Sequence, residues 1–191
     1  AHIALELGGN DAFIVLEDGD VDLAVEEMIW GRMYNTGQVC CASKRFLIHS
    51  SRAAEFTEKA VARISQLKQG QPSDESTQIG CLISEKAAIK VKEQIDLTVE
   101  QGGRIVLGGE RNGAFITPTV IAGVPKTADV AKDMEIFGPV VPVIEFDTVE
   151  EAIEIANGSK FGLCGCVFTA DMKTAVKVCN ALECGGTVIN G

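Results

Sequence analysis

The sequence predicts an α/β domain built on a largely parallel, open twisted sheet that is flanked by helices. Short apolar runs rich in β-branched residues alternate along the chain with amphipathic segments of helical period. Residues that cap helices precede several of these amphipathic segments, and Gly or Asn follows them. With 191 residues, of which 46% are hydrophobic, the chain can form a sizeable core, so we expect one globular domain.

Each element is predicted from its local pattern. Strands are predicted where β-branched and aromatic residues form a short run, and helices where apolar residues recur three or four positions apart. Asp20, Ser84, Thr148 and Asp171 are placed to cap helices, and Glu151 completes a capping box with Thr148. The predicted elements are a strand over 13–16, a helix after Asp20 with a face extending to Met33, a strand over 45–49, helices over 52–67 and 85–100, a strand over 104–107, loops and short strands over 108–126, a strand over 140–146, a helix over 149–157, a strand over 163–168, a helix over 172–182 and a strand over 187–190.

The composition argues against several classes of function. Acidic residues number 27 and basic ones 17, giving a net charge of −10 without a basic run, which disfavours nucleic acid and anionic membranes as partners. No stretch approaches the ~18 apolar residues of a membrane span, and no signal-peptide pattern is present. The seven cysteines include no CxxC pair, so we expect mostly buried, reduced thiols, no metal site and a cytoplasmic location.

Both ends of the chain are abrupt. The sequence opens inside the apolar run 3–7 and stops on the strand-like segment 187–191. Domain termini are usually polar and exposed, so we expect this chain to be a piece of a longer protein.

The first candidate site residue is Glu6, which lies within the opening apolar run and is followed by Gly8 and Gly9. A carboxylate buried in such a run loses hydration, which raises its pKa towards the range of a general base. The glycines allow a ligand to approach the backbone closely. The alternative is an outward-facing side chain on a half-buried strand, and the residues alone leave both interpretations open.

The second candidate is a thiol in a short loop between a helix and a strand. A nucleophilic cysteine needs partial exposure, backbone donors and surroundings that favour the thiolate. Gly37 permits a tight turn before Cys40 and Cys41, and Lys44 and Arg45 supply positive charge. The alternative is a pair of buried thiols in a connecting loop. The pattern does not choose between the two cysteines.

The third candidate is Glu135 with Phe137, on the approach to a Gly-Pro turn. A carboxylate and an aromatic ring in this arrangement could bind a ribose hydroxyl and cover a flat ring. The alternative is an ordinary turn with Phe137 in the core. No Gly-x-Gly-x-x-Gly or Walker A motif is present, so no dinucleotide-binding half is visible. The pair Cys164 and Cys166 favours core packing over redox chemistry.

Together these segments resemble the aldehyde dehydrogenase superfamily. The separation of 34 residues between Glu6 and Cys40 also fits that family. The resemblance runs the whole length and implies that residues 1–191 form the catalytic domain, without the amino-terminal cofactor-binding domain and the carboxyl-terminal oligomerisation segment. The three motifs, in the family's order, are Leu5-Glu6-Leu7-Gly8-Gly9, Gly37-Gln38-Val39-Cys40 and Glu135-Ile136-Phe137-Gly138-Pro139-Val140.

The resemblance implies a role for each motif residue and a cofactor, NAD or NADP, held mostly by the absent domain. The implied reaction begins with addition of a cysteine thiolate to an aldehyde, whose oxyanion is shared by the nucleophile's backbone N–H and an Asn of the other domain. Hydride then leaves for the nicotinamide, and a thioester remains to be hydrolysed. The implied roles are Cys40 as nucleophile, Glu6 as base, Glu135 as ligand of the nicotinamide ribose, Phe137 as a wall beside the nicotinamide, and Leu7 and Gly8 as backbone lining of the nicotinamide end.

The resemblance also bears on the substrate. Glu6 favours hydrolysis over transfer of the acyl group to coenzyme A, and Val39 lacks the charge that a phosphorylated aldehyde requires. The run from Val39 to Phe46 is similar to semialdehyde dehydrogenases, including the succinate semialdehyde group. The expected whole protein is a homodimer or tetramer acting on a small aldehyde, and the piece alone is expected to be inactive. The alternatives are a non-catalytic binding or assembly module and a thioester hydrolase.

Overall fold

The computed structural model describes residues 2–5 and 7–191, in which seven strands form one sheet in the order β3-β6-β7-β2-β1-β8-β9, and β4 and β5 form a separate hairpin. The strands are β1 (Asp11–Val15), β2 (Ser43–His49), β3 (Arg104–Leu107), β4 (Arg111–Asn112), β5 (Phe115–Ile116), β6 (Thr119–Ala122), β7 (Val140–Phe146), β8 (Cys164–Phe168) and β9 (Gly186–Ile189). The helices are α1 (Val21–Met28), α2 (Ser50–Ile64), α3 (Glu85–Glu100), α4 (Val149–Asn157) and α5 (Met172–Ala181).

The predicted fold class is confirmed. Within the seven-stranded sheet every neighbouring pair is parallel except β3 and β6, which pair antiparallel at one edge. β1 lies between β2 and β8, with Phe13 in register with Phe46 on one side and Cys166 on the other. Because β1, β2 and β7 are parallel, the start of β1, the loop before β2 and the loop before β7 all lie at the end of the sheet where these strands begin.

Two apolar layers cover the two faces of the sheet. Alternate residues of β1 point to opposite layers, so that Ile14 packs with the α3 to α5 side and Phe13 and Val15 pack with the α1 and α2 side. The second layer contains a cluster of tilted rings in which Phe13 lies 4.6 Å from Phe168 and 5.0 Å from Phe46, centroid to centroid. Among the described residues, no helix is both long and apolar enough to cross a membrane.

The predicted helix caps are confirmed at all four positions. The side chains of Asp20, Ser84, Thr148 and Asp171 each accept a hydrogen bond from a backbone N–H in the first turn of α1, α3, α4 and α5. Glu151 reaches back to the N–H of Asp147, 2.8 Å away, rather than to the cap residue itself. The other element boundaries differ from prediction by up to three residues, for example α2, which spans Ser50–Ile64 rather than 52–67.

The predicted continuation of the first helix to Met33 is wrong in its geometry. Regular α-helix ends at Met28 and widens into a π-helical turn over Ile29–Met33, followed by a tight turn over Tyr34–Gly37. Arg32 and Met33 are the buried residues of this wide turn. Periodicity alone gives no sign of this extra residue per turn.

Candidate functional site

Cys40 is the second residue of a β-turn that leads into β2. The turn is closed by the N–H of Ala42, which donates to the carbonyl of Val39 at 3.3 Å. Cys40 is half-buried and Cys41 is exposed, so the interpretation of both thiols as core residues is wrong. Among residues 2–5 and 7–191, no acceptor is assigned to the backbone N–H of Cys40, which leaves this donor free for a ligand.

The turn before Cys40 is held in left-handed backbone geometry. Asn35, Thr36 and Gly37 have φ angles of 48°, 59° and 74°. A Cβ on Gly37 would lie 2.3 Å from the carbonyl oxygen of Gly138, so this position requires glycine for space as well as for φ. Such backbone strain is common at functional sites. Here the turn places the loop that carries Cys40 in contact with the loop that carries Glu135.

Lys44, the second residue of β2, connects these two loops. Its side chain is 1% exposed, and its Nζ donates to the carbonyls of Cys40 at 2.6 Å and Val39 at 3.0 Å. The same Nζ lies 3.3 Å from Glu135 Oε1. Burial lowers the pKa of Lys44, and Arg32 lowers it further, while Glu135 and Asp11 oppose that shift.

The Glu135 carboxylate is fixed by the backbone of the Gly-Gly segment. The N–H of Gly9 donates to Oε1 at 3.1 Å, and a Cβ on Gly8 would lie 2.3 Å from Oε2. Gln94 on α3 donates to the Glu135 carbonyl at 2.9 Å. The side chain of Glu135 keeps 21% of its surface exposed, so it can still accept a hydrogen bond from a ligand. The three predicted motifs therefore meet in space around this carboxylate and Lys44.

Phe137 follows on the same loop and is 43% exposed, so its interpretation as a core residue is wrong. Its ring centroid lies 5.9 Å from Lys44 Nζ. Leu7 is exposed and Gly8 is half-buried. Glu6, the predicted base, lies outside the described residues.

Arg32, which sequence reasoning missed, holds the Glu135 loop through hydrogen bonds to its backbone. It is fully buried, and it donates from Nε to the carbonyl of Val140 at 2.6 Å and from Nη2 to that of Ile136 at 2.9 Å. Burial lowers the pKa of Arg32 to about 9, so the guanidinium remains charged at neutral pH. These partners are more than a hundred residues away in sequence. The one local signal for Arg32 is that it is a charged residue within an apolar helical pattern.

Asp11, at the start of β1, is a second group that sequence reasoning missed. Its Oδ1 accepts from the N–H of Cys164 at 3.2 Å, and its buried Oδ2 has no partner among the described residues. Burial raises the pKa of Asp11 to about 6, although Lys44 and Arg45 oppose that shift. Arg45 donates from Nε to the carbonyl of Asn10 at 2.6 Å, and none of its hydrogen bonds among the described residues goes to the turn that holds Cys40. The expected pair of positive charges therefore reduces to one, Lys44, beside the Cys40 loop.

Three thiols near the sheet lie in surroundings that disfavour the thiolate. Burial raises the pKa of Cys164, Cys166 and Cys184, and Cys166 is buried in the sheet. These three thiols are therefore held in their less nucleophilic, protonated form. In the part of the chain that the structure describes, no group of three or more His, Cys, Asp or Glu side chains forms a candidate metal site.

A cavity of about 440 Å³ lies on the other side of the Cys40 loop. Val39 and Cys41, the neighbours of Cys40, form part of its wall, and the rings of Trp30 and Tyr34 form another part. These rings are 68% and 62% exposed and lie 5.7 Å apart. Glu27 is the one charged side chain in the described lining. A larger cavity of about 780 Å³ between α2 and β3 contains none of the predicted site residues.

Comparisons with known proteins agree with this arrangement. The model of the aldehyde dehydrogenase family matches residues 1–191. The succinate semialdehyde dehydrogenase [NAD(P)+] Sad of Escherichia coli K12 is 43% identical over 190 residues, which are 98% of this chain and 41% of that protein. This chain thus spans about two fifths of the length of the relatives it matches.

Solved structures give the same result. The succinate-semialdehyde dehydrogenase of Burkholderia pseudomallei superposes with a TM-score of 0.94 at 39% identity, covering 97% of this chain and 39% of that one. The succinic semialdehyde dehydrogenase of Streptococcus pyogenes in complex with NADP+ superposes with a TM-score of 0.91 at 39% identity, covering 97% and 41%. With a family match over its whole length and relatives of this similarity, the chain belongs to the aldehyde dehydrogenase family.

Proposed function

We propose that this chain is the catalytic domain of an enzyme that oxidises an aldehyde to a carboxylic acid with NAD or NADP. Cys40 is the nucleophile, Glu6 is the base, and Glu135 and Phe137 bind the nicotinamide ribose and ring. One observation carries the proposal: a buried lysine joins the loop with Cys40 to the carboxylate of Glu135, and no acceptor is assigned to the Cys40 N–H among residues 2–5 and 7–191.

The geometry supports a nicotinamide cofactor on the Glu135 side of the loop. Glu135 presents a partly exposed carboxylate that can accept from ribose hydroxyls, and the absence of a side chain at Gly8 leaves backbone beside it. Leu7 and Gly8 then line the nicotinamide end through their backbone, and the exposed ring of Phe137 covers a flat ring. The bound cofactor supplies the hydride acceptor. Most of its contacts belong to the cofactor-binding domain that we propose outside residues 1–191.

The chain's own residues account for the other steps. The Cys40 thiolate adds to the aldehyde carbonyl, and the free N–H of Cys40 donates to the oxyanion that forms. Loss of hydride leaves a thioester on Cys40. Glu6 then removes a proton from water, which attacks the thioester and releases the acid and the thiolate. A base at this position makes the enzyme hydrolytic rather than acyl-transferring.

The cavity beside Val39 and Cys41 is the proposed aldehyde site. Sequence similarity favours a semialdehyde, but the described wall offers Glu27 and the rings of Trp30 and Tyr34, without a Lys or Arg. A carboxylate-bearing substrate would meet like charge here, whereas an uncharged aldehyde would bury apolar surface. We propose that a small uncharged aldehyde fits this part of the site, and that a semialdehyde requires a cationic side chain from outside residues 1–191.

The test uses the full-length enzyme and the absorbance of the reduced cofactor. Cys40→Ala is expected to lower kcat/KM for aldehydes by at least ~10³-fold, because the proposed thioester forms on the Cys40 sulfur and alanine cannot form it. Cys81→Ala, the matched control at another half-buried thiol that lies outside both cavities described above, is expected to retain turnover. A Cys40→Ala enzyme with wild-type turnover would overturn the assignment and favour a non-catalytic or assembly role. Comparing benzaldehyde with succinate semialdehyde in the same assay tests the substrate class.

A further inference from the structure

We propose that Lys44 is a positioning residue that couples occupancy of the cofactor-ribose site at Glu135 to the position of the Cys40 turn. The inference rests on the proposed function, since it concerns the same site. Lys44 touches neither substrate nor cofactor in this account; it acts through Glu135 and the backbone of the nucleophile loop.

The contacts of Lys44 Nζ divide between the two loops. On one side it donates to three carbonyls of the turn, those of Val39, Cys40 and Ala42, at 3.0, 2.6 and 3.4 Å. On the other side its partner is Glu135 Oε1, at 3.3 Å. An ammonium has three protons, so these acceptors exceed its donors and compete for it. A change in what Glu135 binds therefore changes how firmly Nζ holds the turn.

The electrostatics make this competition strong. The side chain of Lys44 is 1% exposed, so water does not screen its charge, and Glu135 is its one paired carboxylate among the described residues. Arg32 lies near enough to lower the pKa of Lys44 further, while Asp11 opposes that shift. A ribose hydroxyl that donates to Glu135 makes this carboxylate a weaker acceptor for Lys44. The Lys44 ammonium then bonds more strongly to the carbonyls of the turn. The Cys40 turn is then held most firmly when the cofactor is in place.

The neighbouring geometry gives the turn little other support from side chains. The turn is closed by one long backbone hydrogen bond, from Ala42 to Val39 at 3.3 Å. Before it lie the strained positions Asn35, Thr36 and Gly37. Among the described residues, Lys44 supplies the side-chain hydrogen bonds to the carbonyls of this turn, so its loss is expected to release the Cys40 carbonyl and to let the position of the Cys40 N–H vary.

The experiment uses the full-length enzyme with Lys44→Met, Lys44→Arg and, as a matched surface control, Lys177→Met. Lys177 is 58% exposed and pairs only with Glu150 among the described residues. Two quantities are measured: the kcat and KM for cofactor and aldehyde, and the rate of Cys40 alkylation by iodoacetamide with and without saturating cofactor. The cofactor-dependent ratio of alkylation rates reports the coupling, which a merely structural lysine would not affect.

In the parent enzyme, cofactor is expected to change the alkylation rate at least ~3-fold. In Lys44→Met this ratio falls to about 1, and the cofactor KM changes more than the aldehyde KM, because Lys44 pairs with Glu135. Lys44→Arg, which keeps the charge, restores part of the ratio, and Lys177→Met behaves as the parent. If Lys44→Met does not fold by circular dichroism, Lys44→Gln is measured in its place with the same expectations.

The inference is overturned if Lys44→Met retains the cofactor-dependent ratio, or if the parent enzyme shows none. The proposed function is tested separately by Cys40→Ala. An enzyme that needs Cys40 for turnover but keeps the ratio without Lys44 refutes the coupling alone. An enzyme that oxidises no aldehyde in any form refutes both.

Discussion

At the scale of single residues, the site depends on charged groups that are buried with few partners. Lys44 and Arg32 are almost wholly enclosed, and each bonds mainly to backbone carbonyls rather than to carboxylates. Asp11 lies in the same region with one of its oxygens unpaired. Each buried charge reduces stability unless it is satisfied, so these residues serve the geometry of the site more than the free energy of folding.

The raised pKa of Asp11 gives a pH-dependent prediction. The pKa is about 6 in the folded protein and 3.8 for an unperturbed side chain, so the unfolded chain loses the proton first as pH rises. The free energy of unfolding therefore falls as the pH rises from about 4 to about 6. Above that range it stays lower by on the order of 3 kcal/mol.

Asp11→Asn removes the ionisable group and should raise the thermal unfolding midpoint at pH 8 while changing it little at pH 4. Thermal unfolding of the full-length protein across this range measures the difference. A gap between variant and parent that is constant from pH 4 to pH 8 would show that Asp11 does not carry the shift.

At the scale of elements, the left-handed turn between α1 and β2 sets where Cys40 lies. Parallel pairing of β1 with β2 and β8 fixes the edge of the sheet, and the turn over Tyr34–Gly37 then brings the chain against Gly138. The distance between the Cys40 loop and the Glu135 loop thus depends on a close backbone contact as well as on the Lys44 side chain.

Gly37→Ala tests this contact. The added methyl would lie 2.3 Å from the Gly138 oxygen at a φ of 74°, so we expect a loss of at least ~2 kcal/mol in stability and of most activity. Gly113→Ala is the matched control, because its φ is 57° and no atom lies within 4 Å of the added methyl. It should lose only the ~1 kcal/mol of left-handed strain. Equal losses in the two variants, measured by thermal unfolding, would contradict the role of the close contact.

At the scale of the whole molecule, local sequence patterns predicted most of the fold because each helix and strand is specified by interactions between residues close together in sequence. Capping residues such as Asp20 and Ser84 act within one turn, and alternation along β1 acts within one strand. The roles of Arg32 and Asp11 depend on partners far away in sequence, which no local pattern contains. The motifs predicted the three segments of the site, but the contacts by which Lys44 connects the Cys40 loop to Glu135 have no local signal in the sequence.

The central claim, that Cys40 carries the acyl group and Glu6 releases it, is tested most directly by trapping that intermediate. Full-length Glu6→Gln enzyme is mixed with aldehyde and NAD(P)+, quenched in acid and digested for mass spectrometry. The account predicts one rapid turnover of reduced cofactor per active site and an acyl mass on the peptide containing Cys40, absent in the Cys40→Ala, Glu6→Gln double variant. Undiminished steady-state turnover in Glu6→Gln, or an acyl group on any other residue, would contradict it.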